Sequence, residues 1–119
     1  MLRIVVGGQL EKDRIAGMIR KIGGDKVTVM VKSDIEAAMA IKTNLAEYYF
    51  GACNTGGGGA LAMAIALLGM KLCATVSMPG KIKSDEEIIK EIENGKKAFG
   101  FTVQHAEQVI PVIMNKILK

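Results

Sequence analysis

The chain has 119 residues, of which half are hydrophobic and only 4% aromatic, and it carries a net charge of +4. This length predicts a single domain over residues 1–119 whose apolar content supports a core without disulfides or metal ions. The lysines are interspersed with acidic residues and few aromatic residues are available for base stacking, which disfavours a nucleic-acid-binding protein. The N-terminus lacks a signal-peptide layout, so we expect a cytoplasmic protein.

Apolar residues recur alternately in short β-branched runs and at helical spacing along the whole chain. The predicted strands cover residues 2–6, 27–31, 48–52, 71–76 and 98–102. The predicted helices cover residues 11–22, 33–44, 60–68, 84–94 and 104–118. Two of these helices begin with the pattern of a capping box, in which Ser33 pairs with Glu36 and Ser84 with Glu87.

Strands that alternate with helices predict an α/β protein of three α/β/α layers around a five-stranded parallel sheet. Right-handed crossovers make a flavodoxin-like or Rossmann-like strand order of 2-1-3-4-5 the simplest arrangement. Such sheets bind ligands beyond the carboxyl ends of the strands where the strand order reverses, which here lies between strands one and three. The loops that begin at Gly7 and at Cys53 are therefore expected to face each other.

The second of these loops holds four consecutive glycines followed by an uncharged helix. Glycine loses the most backbone freedom on folding, so such a run indicates close approach of a ligand to main-chain N–H groups. The N-terminus of a helix offers free donors and a partial positive charge, which predicts an anion such as a phosphorylated small molecule. The alternative is a tight strand-to-helix turn that binds nothing. The glycines are Gly56, Gly57, Gly58 and Gly59.

Cys53 is the candidate catalytic residue, because a helix N-terminus favours the thiolate form of a nearby cysteine. The alternative is that Cys53 fills space in the core, as we expect of Cys73 within the fourth strand. Further candidates for ligand contact lie in loops at the same sheet edge, and His105 among them also fits an ordinary surface histidine. They are Gly8, Gln9, Asn54, Thr55, Ser77 and His105.

Two separated cysteines and one histidine give no metal-ligand spacing, so neither a metal nor a cofactor is predicted. The uncharged stretch 48–70 is interrupted by glycines and polar residues, which argues against insertion into a membrane. Its helix 60–68 is apolar on every face, unlike a helix on the outside of a small sheet. This pattern predicts a homodimer or higher homo-oligomer with the helix in the interface.

Three segments carry a resemblance to a known family: DIEAAMAIK, YYFGACNTGGGGALAMAIALLG and KAFGFTVQHAEQVIPVIMN. With these segments the chain resembles the bacterial YhfU-like family of small proteins of unknown function over essentially its whole length. The phrase FGACNTGGGGALAMAIALLGMKLCA is also similar to the strand–loop–helix of type B ribose-phosphate isomerases and galactose-phosphate isomerase subunits. This second resemblance implies that Cys53 is the base and that Thr55, Gly56 and nearby amides bind the developing enediolate. Those isomerases have Ser-Asp-His where this chain has Gly7-Gly8-Gln9.

Two functions follow from these observations. The first is an enzyme that acts on a small phosphorylated sugar or a related metabolite, with Cys53 as base. The alternative is a non-catalytic binding or phosphocarrier subunit of a transport or phosphotransfer system. The carrier domains of this kind place their cysteine after the first strand, whereas Cys53 follows the third.

Overall fold

The computed structural model describes residues 1–55 and 58–119. The strands are β1 (Leu2–Gly8), β2 (Val27–Val31), β3 (Tyr48–Cys53), β4 (Cys73–Thr75), β5 (Ser77–Met78), β6 (Lys81–Ile82) and β7 (Ala98–Thr102). The helices are α1 (Lys12–Gly23), α2 (Asp34–Lys42), α3 (Gly58–Leu68), α4 (Asp85–Glu93) and α5 (Ala106–Ile117). These bounds lie within a few residues of the predicted ones, and both capping boxes at the starts of α2 and α4 are confirmed.

Five parallel strands form the main sheet in the order β2-β1-β3-β7-β4, which confirms the α/β fold class. The predicted order 2-1-3-4-5 is wrong for its last two strands, because β7 lies between β3 and β4. The physical reason is burial: all five residues of β7 are buried, which suits a central position, whereas β4 has three residues and forms a short edge. Strands β5 and β6 form a small antiparallel hairpin that the sequence did not predict.

Helices cover both faces of the sheet, and the handedness of the crossovers determines which face each helix covers. Helices α1 and α4 connect strands in one direction across the sheet, whereas α2 and α3 connect strands in the opposite direction. Right-handed crossovers therefore place α1 and α4 on one face, where α5 joins them, and α2 and α3 on the other. We call these the three-helix layer and the two-helix layer.

The two faces of the sheet carry side chains of different size. Beneath the three-helix layer the central strands present large apolar residues: Ile4, Val6, Phe50, Phe99 and Phe101. Beneath the two-helix layer, strand register aligns Gly7 with Gly51 and Gly51 with Gly100. The ring of Tyr49 lies along this glycine row, since a Cβ added at Gly7 or Gly51 would come within 2.8 or 2.9 Å of the ring. The glycines therefore make room for one buried tyrosine.

Within the described ranges, none of the helices combines the length and apolar character that a bilayer crossing requires.

Candidate functional site

Cys53 is the last residue of β3 and is only 2% exposed. Its Sγ atom lies 3.4 Å from the Thr55 hydroxyl oxygen and accepts a hydrogen bond from the Thr55 N–H at 3.4 Å. These contacts hold the sulfur against the loop that follows β3. Asn54 and Thr55 themselves are exposed. The predicted ligand contacts at Gly56 and Gly57 fall outside the described residues.

The loop after β1 contacts the start of α3. Gly8 has a φ of +79°, and a Cβ there would lie 2.6 Å from the backbone nitrogen of Ala52. The Gln9 N–H donates to the Ala52 carbonyl at 2.9 Å, and the Gln9 side-chain amide packs against the Cα of Gly59. Only glycine fits at position 8, because both the positive φ and the close backbone approach exclude a side chain. The sheet thus brings Gly8, Gln9 and Gly59 together.

A buried hydroxyl joins the same two elements. The Tyr49 hydroxyl donates to the carbonyl of Ala60 in the first turn of α3 at 2.8 Å and accepts from the Gly8 N–H at 3.1 Å. Burial raises the pKa of Tyr49 far above its usual value, and the nearby Asp34 carboxylate raises it further. The hydroxyl therefore stays protonated and holds the end of β1 against α3.

Asp34 is the first residue of α2 and lies at the same edge of the sheet. Burial raises the pKa of this carboxyl, while the Gly8 N–H and the Lys12 ammonium lower it by smaller amounts. Its Oδ1 atom is buried and has no hydrogen-bond partner among the described residues. A partly desolvated carboxylate at the carboxyl edge of a doubly wound sheet is a candidate acceptor for hydroxyl groups of a ligand.

Thr102 is the last residue of β7 and is paired in register with Cys53 on the neighbouring strand. Its backbone N–H donates to the hydroxyl of Ser77 at 3.0 Å, and both residues are 3% exposed. Ser77, predicted to contact ligand, thus already fixes the end of β7. Beside it, a cavity of about 60 Å³ is lined by β4 and the β5–β6 hairpin, including Lys81 and Lys83.

His105 lies at the start of α5, at the carboxyl edge but in the three-helix layer. Side chains alternate along β3, so Cys53 shares with Tyr49 the face beneath the two-helix layer. The Nδ1 atom of His105 is buried without a hydrogen-bond partner in the described part of the chain. The side-chain atoms in this state are Asp34 Oδ1, Thr102 Oγ1 and His105 Nδ1. Each of them follows or ends a strand of the main sheet at its carboxyl end. Residues 1–55 and 58–119 hold no cluster of histidine, cysteine and acidic side chains suited to a metal ion.

Sequence reasoning missed three residues of this edge. Tyr49 was part of an apolar strand, and no local pattern indicates that its hydroxyl reaches the rim. Asp34 follows the capping residue Ser33, and an acidic residue is common in the first turn of a helix, so its presence needs no ligand. Thr102 carried the clearest signal, because a hydroxyl residue at the carboxyl end of a predicted central strand points toward the expected site.

Comparison with known proteins gives a family and no activity. The family model described as "Protein of unknown function DUF2620" matches residues 2–117. The "Uncharacterized protein YhfU" of Escherichia coli (strain K12) is 41% identical over 117 residues, which cover 98% of this chain and 99% of that protein. The protein of the same name from Shigella flexneri gives the same values. No solved structure matches this chain significantly. The predicted resemblance to YhfU-like proteins is confirmed.

Proposed function

Since the chain belongs to the DUF2620 family, whose description assigns no activity, we propose a function from the chemistry of its own residues. The protein binds a small phosphorylated metabolite, of the sugar phosphate class, at the carboxyl edge of β1, β3 and β7. Cys53 acts there as the base of an isomerase-type reaction.

One observation carries the proposal. Among the described residues, the buried side-chain polar atoms without a hydrogen-bond partner all lie at this edge of the sheet. Such atoms cost free energy in the unliganded protein, and folded proteins keep few of them. Their grouping at the edge where doubly wound sheets bind ligands supports a polar ligand as the missing partner.

Helix α3, Asp34 and Cys53 each have a role that suits such a ligand. The N-terminus of α3 offers backbone N–H donors and a partial positive charge to the phosphate or to a developing oxyanion. Asp34 accepts hydrogen bonds from sugar hydroxyls. The Cys53 thiolate takes the proton from the carbon beside the carbonyl, which leaves an enediolate, and the thiol then gives a proton to the former carbonyl carbon. The hydroxyl proton moves between the two neighbouring oxygens, so one carbon is oxidised as the next is reduced and no external oxidant or reductant is needed.

Binding is tested by thermal denaturation in the presence of pentose 5-phosphates and hexose 6-phosphates. The same sugars without phosphate and inorganic phosphate alone are the controls. A ligand at 100 times its dissociation constant adds about 2.7 kcal/mol to the free energy of unfolding, which moves the midpoint by several degrees. We expect the sugar phosphates to raise the midpoint more than either control. Equal midpoints with and without every compound would contradict the proposal.

Catalysis is tested by incubating the protein with the bound sugar phosphate in D₂O and following the ligand by proton NMR. A base that removes the proton beside the carbonyl exchanges it with solvent, so deuterium enters the ligand at that carbon. We expect Cys53→Ser to abolish this exchange while leaving the thermal shift in place. Cys73→Ser, on an edge strand, is the matched control and retains exchange.

The alternative, a phosphocarrier, gives a different outcome in the same material. A carrier incubated with a phosphorylated donor gains about 80 Da at Cys53 when a phosphoryl group moves from the donor to the sulfur. The isomerase proposal predicts an unchanged mass. Sugar phosphates are consistent with a cytoplasmic location of the protein, which stays our prediction. A single domain over residues 1–119 also stays a prediction.

We also propose that the outer face of α3 forms a homodimer interface. The helix carries no charged residue, Ala62 and Ala66 are exposed on it, and Met70 just beyond its end is 73% exposed. Ala66→Glu places a charge in this face and is expected to give the monomer mass by light scattering. Gln108→Glu on the exposed face of α5 is the matched control and keeps the mass of the parent protein. A parent protein that is monomeric at micromolar concentration would rule out this interface.

A further inference from the structure

The hydroxyl of Thr102 is placed beside the candidate base Cys53 and makes no hydrogen bond within the described part of the chain. Thr102 and Cys53 end adjacent strands and are register partners, so their side chains lie next to each other on the same face of the sheet. Both residues are almost completely buried, at 3% and 2% exposure. Helix α3 packs over the same two strands.

The surroundings of Thr102 satisfy its backbone and leave its side chain unsatisfied. Its N–H donates to the Ser77 hydroxyl at 3.0 Å, and this bond fixes the end of β7. Its Oγ1 atom has no hydrogen-bond partner within residues 1–55 and 58–119. A valine has the same shape as threonine and would fill the same space without an unsatisfied hydroxyl. Among the described residues, no structural role for the hydroxyl explains why threonine stands here.

We infer that the Thr102 hydroxyl is a ligand-binding group of the Cys53 site, which donates a hydrogen bond to an anionic oxygen of the bound metabolite. The inference rests on the proposed function, since it assigns a further residue to the same site. Thr102 ends β7, whereas Thr55 lies in the loop after the neighbouring strand β3. The two hydroxyl groups therefore approach the ligand from different elements. The hydroxyl gains its partner only when ligand is bound.

Stability without ligand gives the first test. Thr102→Val removes a buried hydroxyl that lacks a partner, so the thermal midpoint is expected to rise by about 3–6 °C. Thr43→Val is the matched control, because the Thr43 hydroxyl donates to the Met39 carbonyl at 2.8 Å. That variant loses a hydrogen bond, and its midpoint is expected to fall. A fall of similar size in Thr102→Val would show that Thr102 has a structural partner and would overturn the inference.

Affinity gives the second test, with ribose 5-phosphate and inorganic phosphate as probes in isothermal titration. A hydrogen bond to an anionic oxygen contributes enough that Thr102→Val is expected to weaken binding about tenfold or more. Thr102→Ser keeps the hydroxyl and stays within about threefold of the parent protein, as does Thr43→Val. Where the valine variant fails to fold, Thr102→Ser and Thr102→Ala make the same comparison, because they differ only in the hydroxyl.

The outcomes separate the two proposals. Binding by the parent protein with equal affinity in Thr102→Val contradicts the role of Thr102 and leaves the proposed function intact. A parent protein that binds neither probe, nor any sugar phosphate of the thermal screen, contradicts the proposed function, and the stability test then decides alone whether the hydroxyl is unpartnered. A rise in midpoint together with a loss of affinity supports the inference.

Discussion

Helices α1, α4 and α5 cover a face of the sheet that carries three phenylalanines and branched aliphatic side chains, whereas α2 and α3 cover a face with a row of glycines. Large side chains keep a helix at a distance from a sheet, while glycine lets other groups approach the backbone. On the two-helix side that space admits the Tyr49 ring and its hydroxyl. The candidate site lies at the end of this glycine row.

The outer surfaces of the two layers also differ, in their charge and apolar character. The three-helix layer is amphipathic, and ion pairs connect its helices: Arg14 with Glu107 at 3.0 Å and Lys116 with Glu93 at 3.1 Å. The two-helix layer has no charge on α3, and exposed apolar residues such as Ile35 and Met39 occur on α2. The three-helix layer thus has an amphipathic, ion-paired outer surface, whereas the outer surface of the two-helix layer is largely apolar.

Filling the glycine row gives the largest expected effect. In Gly51→Ala the new methyl group would lie 2.9 Å from both the Ala60 carbonyl oxygen and the Tyr49 ring. The ring and α3 must shift, so we expect the free energy of unfolding in urea to fall by about 3 kcal/mol. Gly17→Ala on α1 is the matched control, since a Cβ there meets nothing within 4 Å. Alanine is the better helix former, so that variant gains about 0.5–1 kcal/mol. Equal stability of the two variants would contradict the contrast between the layers.

Removal of the Tyr49 hydroxyl gives the next effect. Tyr49→Phe leaves the Gly8 N–H and the Ala60 carbonyl without a shared partner, so we expect a loss of about 1–2 kcal/mol in urea unfolding. Tyr48→Phe is the control, because Tyr48 is only half-buried and stacks on Phe99 under the other layer. A control variant as unstable as Tyr49→Phe would show that the hydroxyl bridge contributes nothing specific.

Asp34 predicts a pH dependence that is smaller, because this residue is only partly buried. Its pKa is raised on folding, so the folded state binds the proton more tightly than the unfolded state does. Stability from this group is fully present below its unfolded pKa of 3.8 and is lost as the pH rises through the raised value. Asp34→Asn is therefore expected to be more stable than the parent protein at pH 7, and the difference should close below pH 3.8. Unfolding curves of both proteins between pH 3 and 7 measure this difference in stability. A difference that does not change with pH would exclude the Asp34 carboxyl as its cause.

The surface ion pair between α1 and α5 gives the smallest effect. Arg14 and Glu107 are 43% and 78% exposed, so solvent screens their attraction. We expect Arg14→Met to change the free energy of unfolding by about 0.5 kcal/mol or less. A double-mutant cycle with Glu107→Gln isolates the pair. A coupling energy above about 1 kcal/mol would contradict the screening of this pair by solvent.

The sequence sufficed for the fold wherever local patterns decide structure. The capping boxes at Ser33 and Ser84 and the alternation of strands and helices lie within short segments, and they located most elements. The order of β4 and β7 depends on competition between two strands for a central position, which no local pattern contains. The rim of the site depends on register: Cys53 was visible beside the glycines, whereas Thr102 becomes its neighbour only through strand pairing.

The two tyrosines have a practical consequence, because the chain contains no tryptophan and its intrinsic fluorescence comes from tyrosine alone. Tyr49 lies below the start of α3, while Tyr48 lies against Phe99 beneath the other layer. With Tyr48 replaced by phenylalanine, the remaining emission would come from a single ring whose hydroxyl contacts the first turn of α3. Occupancy of the rim could then be followed optically, without attaching a dye to the protein.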